Sequence, residues 1–222
     1  MSGLFIAFEG GDGAGKSTQA NILAEKLSRQ GFRSVLLHEP GSTTLGDYLR
    51  RYLIGDGPIS NVAELLLFEA SRAELMTDRI RPELEAGAIV ICDRFTGSTV
   101  AYQGHGRGLD LEKIQWLNDL ATHGRYPDLT ILLDIVPAVG LERVHNRLFQ
   151  LALPIGDAPD RFEDEELRFH DRVHQGFNRQ ADNNPKTWRK VEGNQSIGDV
   201  ADVVWSTVYP MLPHLKVCSE TV

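Results

Sequence analysis

The sequence predicts an α/β fold: a five-stranded parallel sheet with helices on both faces. Three observations carry this expectation. Five short apolar runs alternate with longer segments of helical period, the pattern of parallel strands joined by crossover helices. The first run leads into Gly10-Gly11-Asp12-Gly13-Ala14-Gly15-Lys16-Ser17, which fits the phosphate-loop pattern G-x-x-x-x-G-K-[ST] and belongs between a strand and a helix. The chain of 222 residues is 41% hydrophobic and 24% charged, an ordinary globular balance with enough length for one sizeable core. A single domain spanning 1–222 is expected.

Each element follows in order. Leu4–Phe8 is apolar throughout and reads as a buried strand. Lys16–Gln30 is helical, with Ile22, Leu23 and Leu27 on one face and Gly31 as its stop. Arg33–His38 is the second strand and runs into Glu39-Pro40-Gly41. Asn61–Ala86 is a long helical segment, and Ala88–Cys92 is the third strand, followed by Asp93-Arg94-Phe95. Leu111–Thr122 is a helix, Leu129–Ile135 a strand and Ala138–Leu148 a helix. Phe149–Arg161, with two prolines and a glycine, reads as a flexible insert. Glu163–Ala181 is helical, and its acidic start, Glu163–Glu166, suits a helix dipole. Thr187–Val191 is the weakest strand, and Ile197–Met211 closes the chain as a helix. Ligands of such sheets bind beyond the carboxyl ends of the strands. That rule nominates the phosphate loop, Glu39-Pro40-Gly41, Asp93-Arg94-Phe95 and the segment after Asp134.

The chemistry starts at the loop. Its glycines let backbone N–H groups approach a phosphate, and the helix start adds a favourable dipole. Lys16 would reach the β- and γ-phosphates of a nucleoside triphosphate, and the Ser17 hydroxyl would ligate Mg²⁺. Asp93 can hold the same metal, directly or through water, while Arg94 can fork onto a phosphate. The net charge of −8 argues against a nucleic-acid surface, so the few cations of an anion-binding cleft are local exceptions. The two cysteines suggest no disulfide framework. The N-terminus lacks the basic region of a signal peptide, and no apolar stretch approaches membrane-spanning length. A cytoplasmic enzyme is expected. A switch GTPase would carry Asn-Lys-x-Asp, and no Asn-Lys dipeptide occurs here. The length and motif spacing suit a small nucleotide kinase.

Six motifs sharpen this reading: FEGGDGAGKST (8–18), HEPGST (38–43), LLLFEASR (65–72), DRFTGSTVAYQGHGRG (93–108), PDLTILLDI (127–135) and DRFEDEELRFHDRV (160–173). With these, the chain resembles the thymidylate kinase family, in its bacterial form, across almost its whole length. The resemblance implies a P-loop kinase fold with a lid at approximately 143–161 and a homodimer. It implies transfer of the ATP γ-phosphoryl group to dTMP, giving dTDP and ADP on the way to dTTP. Gly10 through Thr18 would bind ATP. Arg94, and Arg50 in LGDYLRR, would hold the acceptor phosphate. Phe68 would stack on thymine, and Arg72, four residues on and on the same helix face, would donate to a base carbonyl. Tyr102 would pack where a ribose 2′-hydroxyl would sit. Gln103 and Ser98 or Thr99 would bond the thymine edge, and Asp12 would meet the 3′-hydroxyl or the metal shell. Some members place an arginine inside the phosphate loop; here Gly11, Asp12, Gly13 and Ala14 offer none. Lid arginines are then expected to supply the charge: Arg147 first, then Arg143 and Arg161, with Arg143 equally suited to stack on adenine. Two alternatives stand beside this reading. A deoxynucleoside kinase would use the glutamate of Glu39-Pro40 to deprotonate a 5′-hydroxyl, though such chains carry Glu-Arg-Ser where Asp93-Arg94-Phe95 stands. A non-catalytic nucleotide-binding regulator would have lost groups that are intact here.

Overall fold

The computed structural model describes residues 3–55, 57–150 and 167–212. Its centre is a five-stranded sheet in the order β2-β3-β1-β4-β5, with every adjacent pair parallel. The strands are β1 Leu4–Glu9, β2 Ser34–His38, β3 Ile89–Asp93, β4 Leu129–Asp134 and β5 Trp188–Glu192, each within about a residue of its expected position. Alternation along β1 assigns its side chains to two cores. Leu4, Ile6 and Phe8 pack under α1 (Lys16–Arg29) and α9 (Ile197–Val208), against Leu23, Leu27, Val200 and Val204. Phe5 and Ala7 face the other way, onto Leu75, Met76, Ile80 and Phe95. Such two-sided burial explains why these strands read as apolar runs rather than as alternating ones.

On that second face lie α2 (Thr44–Ile54), α3 (Asn61–Leu75) and α4 (Arg81–Glu85). A π-helical turn, Met76–Ile80, joins α3 to α4 just before Pro82, so the segment expected as one helix is continuous but takes one wider turn ahead of the proline, which offers no N–H. Two helical stretches escaped the sequence reading. The α2 helix is capped by Thr43, whose Oγ1 accepts from the Gly46 N–H at 2.9 Å, and it buries Leu49 and Leu53; Gly46 inside its first turn obscured it. The short α5 (Thr96–Thr99) continues into a π-helix, Val100–Gly106, despite three glycines. Those glycines serve close packing rather than a break: a Cβ on Gly106 would stand 2.6 Å from the Phe169 ring, and one on Gly104 would stand 2.5 Å from Leu111. The remaining helices are α6 (Leu111–Thr122), α7 (Pro137–Gln150) and α8 (Leu167–Asn183). Phe169, Val173 and Phe177 of α8 close a third apolar cluster around Ala101 and Tyr102. The expected insert Phe149–Arg161 lies almost wholly outside the described residues, as does Arg161.

Candidate active site

The carboxyl ends of β1, β2 and β3 and the start of α1 open onto a cavity of about 560 Å³. Lined by Lys16, Ser17 and Thr18 on one side, it is bounded on others by Arg50 of α2, Phe68 and Arg72 of α3, and Asp93 and Arg94 after β3. Ser98, Thr99, Tyr102 and Gln103 complete the wall, and Arg147 of α7 overhangs it. A second cavity of about 440 Å³ lies across the phosphate loop, between Gly13, Ala14 and Thr18, the α7 residues Arg143 and Arg147, and the Gly193–Ile197 turn. Arg147 therefore borders both spaces, whereas Arg143 borders only the second. Arg143 is anchored there, donating to the Gly193 carbonyl at 3.2 Å and to Asn194 Oδ1 at 3.1 Å.

Local backbone geometry explains the loop. Gly10, Gly13 and Gly15 have φ of 142°, 71° and 93°, values that side chains other than glycine rarely adopt. A Cβ on Gly13 would also stand 2.0 Å from the Gly140 carbonyl of α7, so the loop and that helix touch through bare backbone. The Lys16 ammonium folds back and donates to the Gly10 and Gly11 carbonyls at 3.0 and 2.7 Å. Burial, with Arg94 adding repulsion, pulls its pKa down to about 8. A bound phosphate would reverse that shift by offering negative charge. Ser17 Oγ donates to Asp93 Oδ2, so the two groups nominated for the metal already meet.

Arg94 sits in the left-handed region at φ 69°, a position few arginines occupy without support. Its guanidinium donates to the Gly10 carbonyl, Ser98 Oγ, the Asp12 carboxylate and Tyr102 Oη. Tyr102 Oη donates in turn to Asp12 Oδ2 at 2.8 Å. Burial opposes the Asp12 charge, but Arg94 and Lys16 outweigh it and hold the carboxyl below its ordinary range. Arg50 donates to the Pro40 carbonyl at 3.2 Å across the cavity mouth.

On the α3 wall, Arg72 is only 1% exposed. Its Nε and Nη2 bind Glu39, Nη1 binds Glu69 and Asn118, and Nη2 also reaches Thr99 Oγ1 at 2.7 Å. All five N–H groups of the guanidinium are thus engaged, and a ligand carbonyl would have to displace one partner. Two carboxylates share this one cation at full burial, and burial pushes Glu39 up to about 7 against the pull of Arg72. Gln103 Nε2 donates to the buried Glu64 at 2.8 Å. The Ser98 hydroxyl spends its one proton on Glu9 at 2.6 Å, so its remaining capacity is as an acceptor.

Sequence reasoning passed over Glu9, Glu64, Glu69 and Asn118, all buried and all bonded to the residues it nominated. One signal was available: Glu9 is the single charge ending an otherwise apolar strand, at the end where ligands bind. Asn118 and Glu64 carried none, because each lies within an ordinary amphipathic helix.

Comparison with known proteins gives a consistent picture. The family model described as thymidylate kinase matches residues 8–204. A thymidylate kinase of Synechococcus sp. (strain JA-2-3B'a(2-13)) is 48% identical over 210 residues, covering 95% of this chain and 96% of the relative. One from Thermomicrobium roseum is 44% identical over 204 residues, covering 92% and 93%. Among solved structures, thymidylate kinase from Ehrlichia chaffeensis superposes with a TM-score of 0.74 at 34% identity, over 94% of this chain and 99% of that one.

Proposed function

The chain belongs to the thymidylate kinase family and is an ATP-dependent nucleoside monophosphate kinase that phosphorylates dTMP to dTDP; from that premise we propose how its residues divide the work. The observation that carries the assignment is the convergence of Lys16, Arg50, Arg94 and Arg147 on one cavity of a chain whose net charge is −8. These four cations, beside the Glu39-paired Arg72 in the same wall, suit two phosphorylated substrates in an otherwise acidic protein.

The acceptor phosphate of dTMP has its second pKa near ~6, so its oxygen is already ionised at neutral pH and needs no general base. Catalysis is then alignment of two anions and neutralisation of their charge. Arg94 and Arg50 bind the acceptor phosphate. Phe68 stacks on thymine, while Arg72, Thr99 and Gln103 border its edge, and Tyr102 with Asp12 fills the space around the sugar. The Gly10–Thr18 loop and Lys16 bind the donor phosphates, and the second cavity takes the adenosine, with Arg143 on its wall. Arg147 spans the two spaces and brings charge to the transferring group. Ser17 and Asp93 fit Mg²⁺: a hydroxyl and a carboxylate, both oxygen donors, meet beside the phosphate loop. That ion, bound with ATP, would supply charge neutralisation between the phosphates.

The same reading takes the whole chain as one domain, with a lid at approximately 143–161 and a homodimeric, cytoplasmic setting. Support for the dimer lies in three neighbouring helices. Each exposes an apolar pair one turn apart: Tyr48 and Tyr52 on α2, Val62 and Leu66 on α3, Trp116 and Leu120 on α6. No described helix is long and apolar enough to cross a membrane.

Coupled measurement of ADP release against Mg²⁺ concentration tests the metal assignment. Asp93→Asn should raise the Mg²⁺ needed for half-maximal rate about ten-fold or more while the variant still binds dTMP. An unchanged Mg²⁺ requirement removes Asp93 from the metal site.

A further inference from the structure

Behind the turn that carries Arg94 lies a buried carboxylate, Glu9. Glu9, the last residue of β1, is fully buried and acts on Arg94 as a nearby charge, without a direct hydrogen bond to it among the described residues. Its Oε1 accepts from the backbone N–H groups of Phe95 at 2.9 Å and Ser98 at 3.0 Å. Its Oε2 accepts the Ser98 hydroxyl proton at 2.6 Å. With that proton committed, a lone pair of Ser98 Oγ faces Arg94, whose Nη1 donates to it at 3.2 Å. Gly97 leaves the room: a Cβ there would stand 2.8 Å from Glu9 Oε1. The three acceptances tie down the turn that immediately follows Arg94, the residue held at φ 69°.

We propose that Glu9 is a positioning residue for the acceptor phosphate, acting through Ser98 to orient the Arg94 guanidinium. The inference rests on the reading that Arg94 holds the phosphate of dTMP. It assigns Ser98 to that arginine rather than to the thymine edge. A glutamine at position 9 keeps the shape and one carbonyl oxygen, but it puts an NH₂ where Oε2 stood. The Ser98 proton then loses its acceptor and turns toward Arg94, a group that carries only donors. Ser98→Ala removes the link to Arg94 while leaving both backbone bonds to Glu9.

The test compares a ligand that has the phosphate with one that lacks it. KM for dTMP and the competitive inhibition constant of thymidine are measured for wild type, Glu9→Gln, Ser98→Ala and Arg94→Ala, together with KM for ATP. Glu9→Gln and Ser98→Ala should each raise KM for dTMP about five- to ten-fold. Thymidine inhibition and KM for ATP should stay within about two-fold, since neither ligand uses Arg94 in this way. Arg94→Ala should show the same split, larger. If dTMP and thymidine weaken together in Glu9→Gln or Ser98→Ala, the residues shape the pocket generally and the inference is overturned. It also fails if Arg94→Ala shows the split and neither of the other variants moves KM for dTMP. If Arg94→Ala itself leaves KM for dTMP unmoved, the reading beneath the inference falls and takes it along. Should Glu9→Gln not fold, Ser98→Ala decides alone.

Discussion

At the scale of single residues, burial sets what the charged groups can do. Lys16 is desolvated and held against two loop carbonyls, so its charge is ready for a phosphate but not neutralised by a carboxylate in direct contact. Lys16→Ala should leave the fold intact and lower kcat about a hundred-fold or more, measured as ADP release at saturating dTMP; a rate near that of wild type would remove the loop assignment. Glu39 gives a pH signature. Its pKa in the folded chain is about 7, above its ordinary 4.5, so the native state binds more protons between those values. The stability Glu39 contributes is therefore greatest below pH 4.5 and declines as pH rises toward 7. Urea unfolding at pH 5 and pH 7.5 should show wild type losing more stability across that interval than Glu39→Gln, and equal losses would contradict the raised pKa. The nominated cations and hydroxyls were legible as sequence because motifs place them. Their buried partners were not: Glu64 and Asn118 become special only once α3, α6 and the π-helix after α5 are packed together.

Among the elements, α7 separates two roles that the sequence left open. Arg143 is tied to the Gly193–Asn194 turn beside the second cavity, and Arg147, one turn further along, lines both cavities. Arg147→Ala should lower kcat more than it raises KM for dTMP, with Arg147→Lys recovering only part, because a point charge lacks the planar fork. Arg143→Ala should chiefly raise KM for ATP. Steady-state kinetics with both substrates varied would show the roles exchanged if Arg143→Ala abolishes kcat and Arg147→Ala spares it. The strands and the long helices were readable from apolar runs and helical period. By contrast, α2 and the Thr96–Gly106 turn were hidden by glycines that exist for close contact, at Gly46, Gly104 and Gly106.

For the whole molecule, the residues proposed for the acceptor site sit on the helices that expose the apolar pairs. Arg50 is on α2 with Tyr48 and Tyr52; Phe68 and Arg72 are on α3 with Val62 and Leu66. If these pairs form the proposed dimer surface, Leu66→Glu should lower the sedimentation coefficient toward that of a monomer, and an unchanged coefficient would remove this surface from the proposal. The central claim is that this cavity extends an existing phosphate rather than phosphorylating a hydroxyl. The most direct measurement is ADP release with ATP, Mg²⁺ and a panel of dTMP, dUMP and thymidine. dTMP should have the highest kcat/KM, with dUMP only several-fold lower, since one methyl is worth about 1 kcal/mol. Thymidine should be a poor acceptor, because Arg94 and Arg50 would have no phosphate to hold. Thymidine matching or exceeding dTMP would contradict the account.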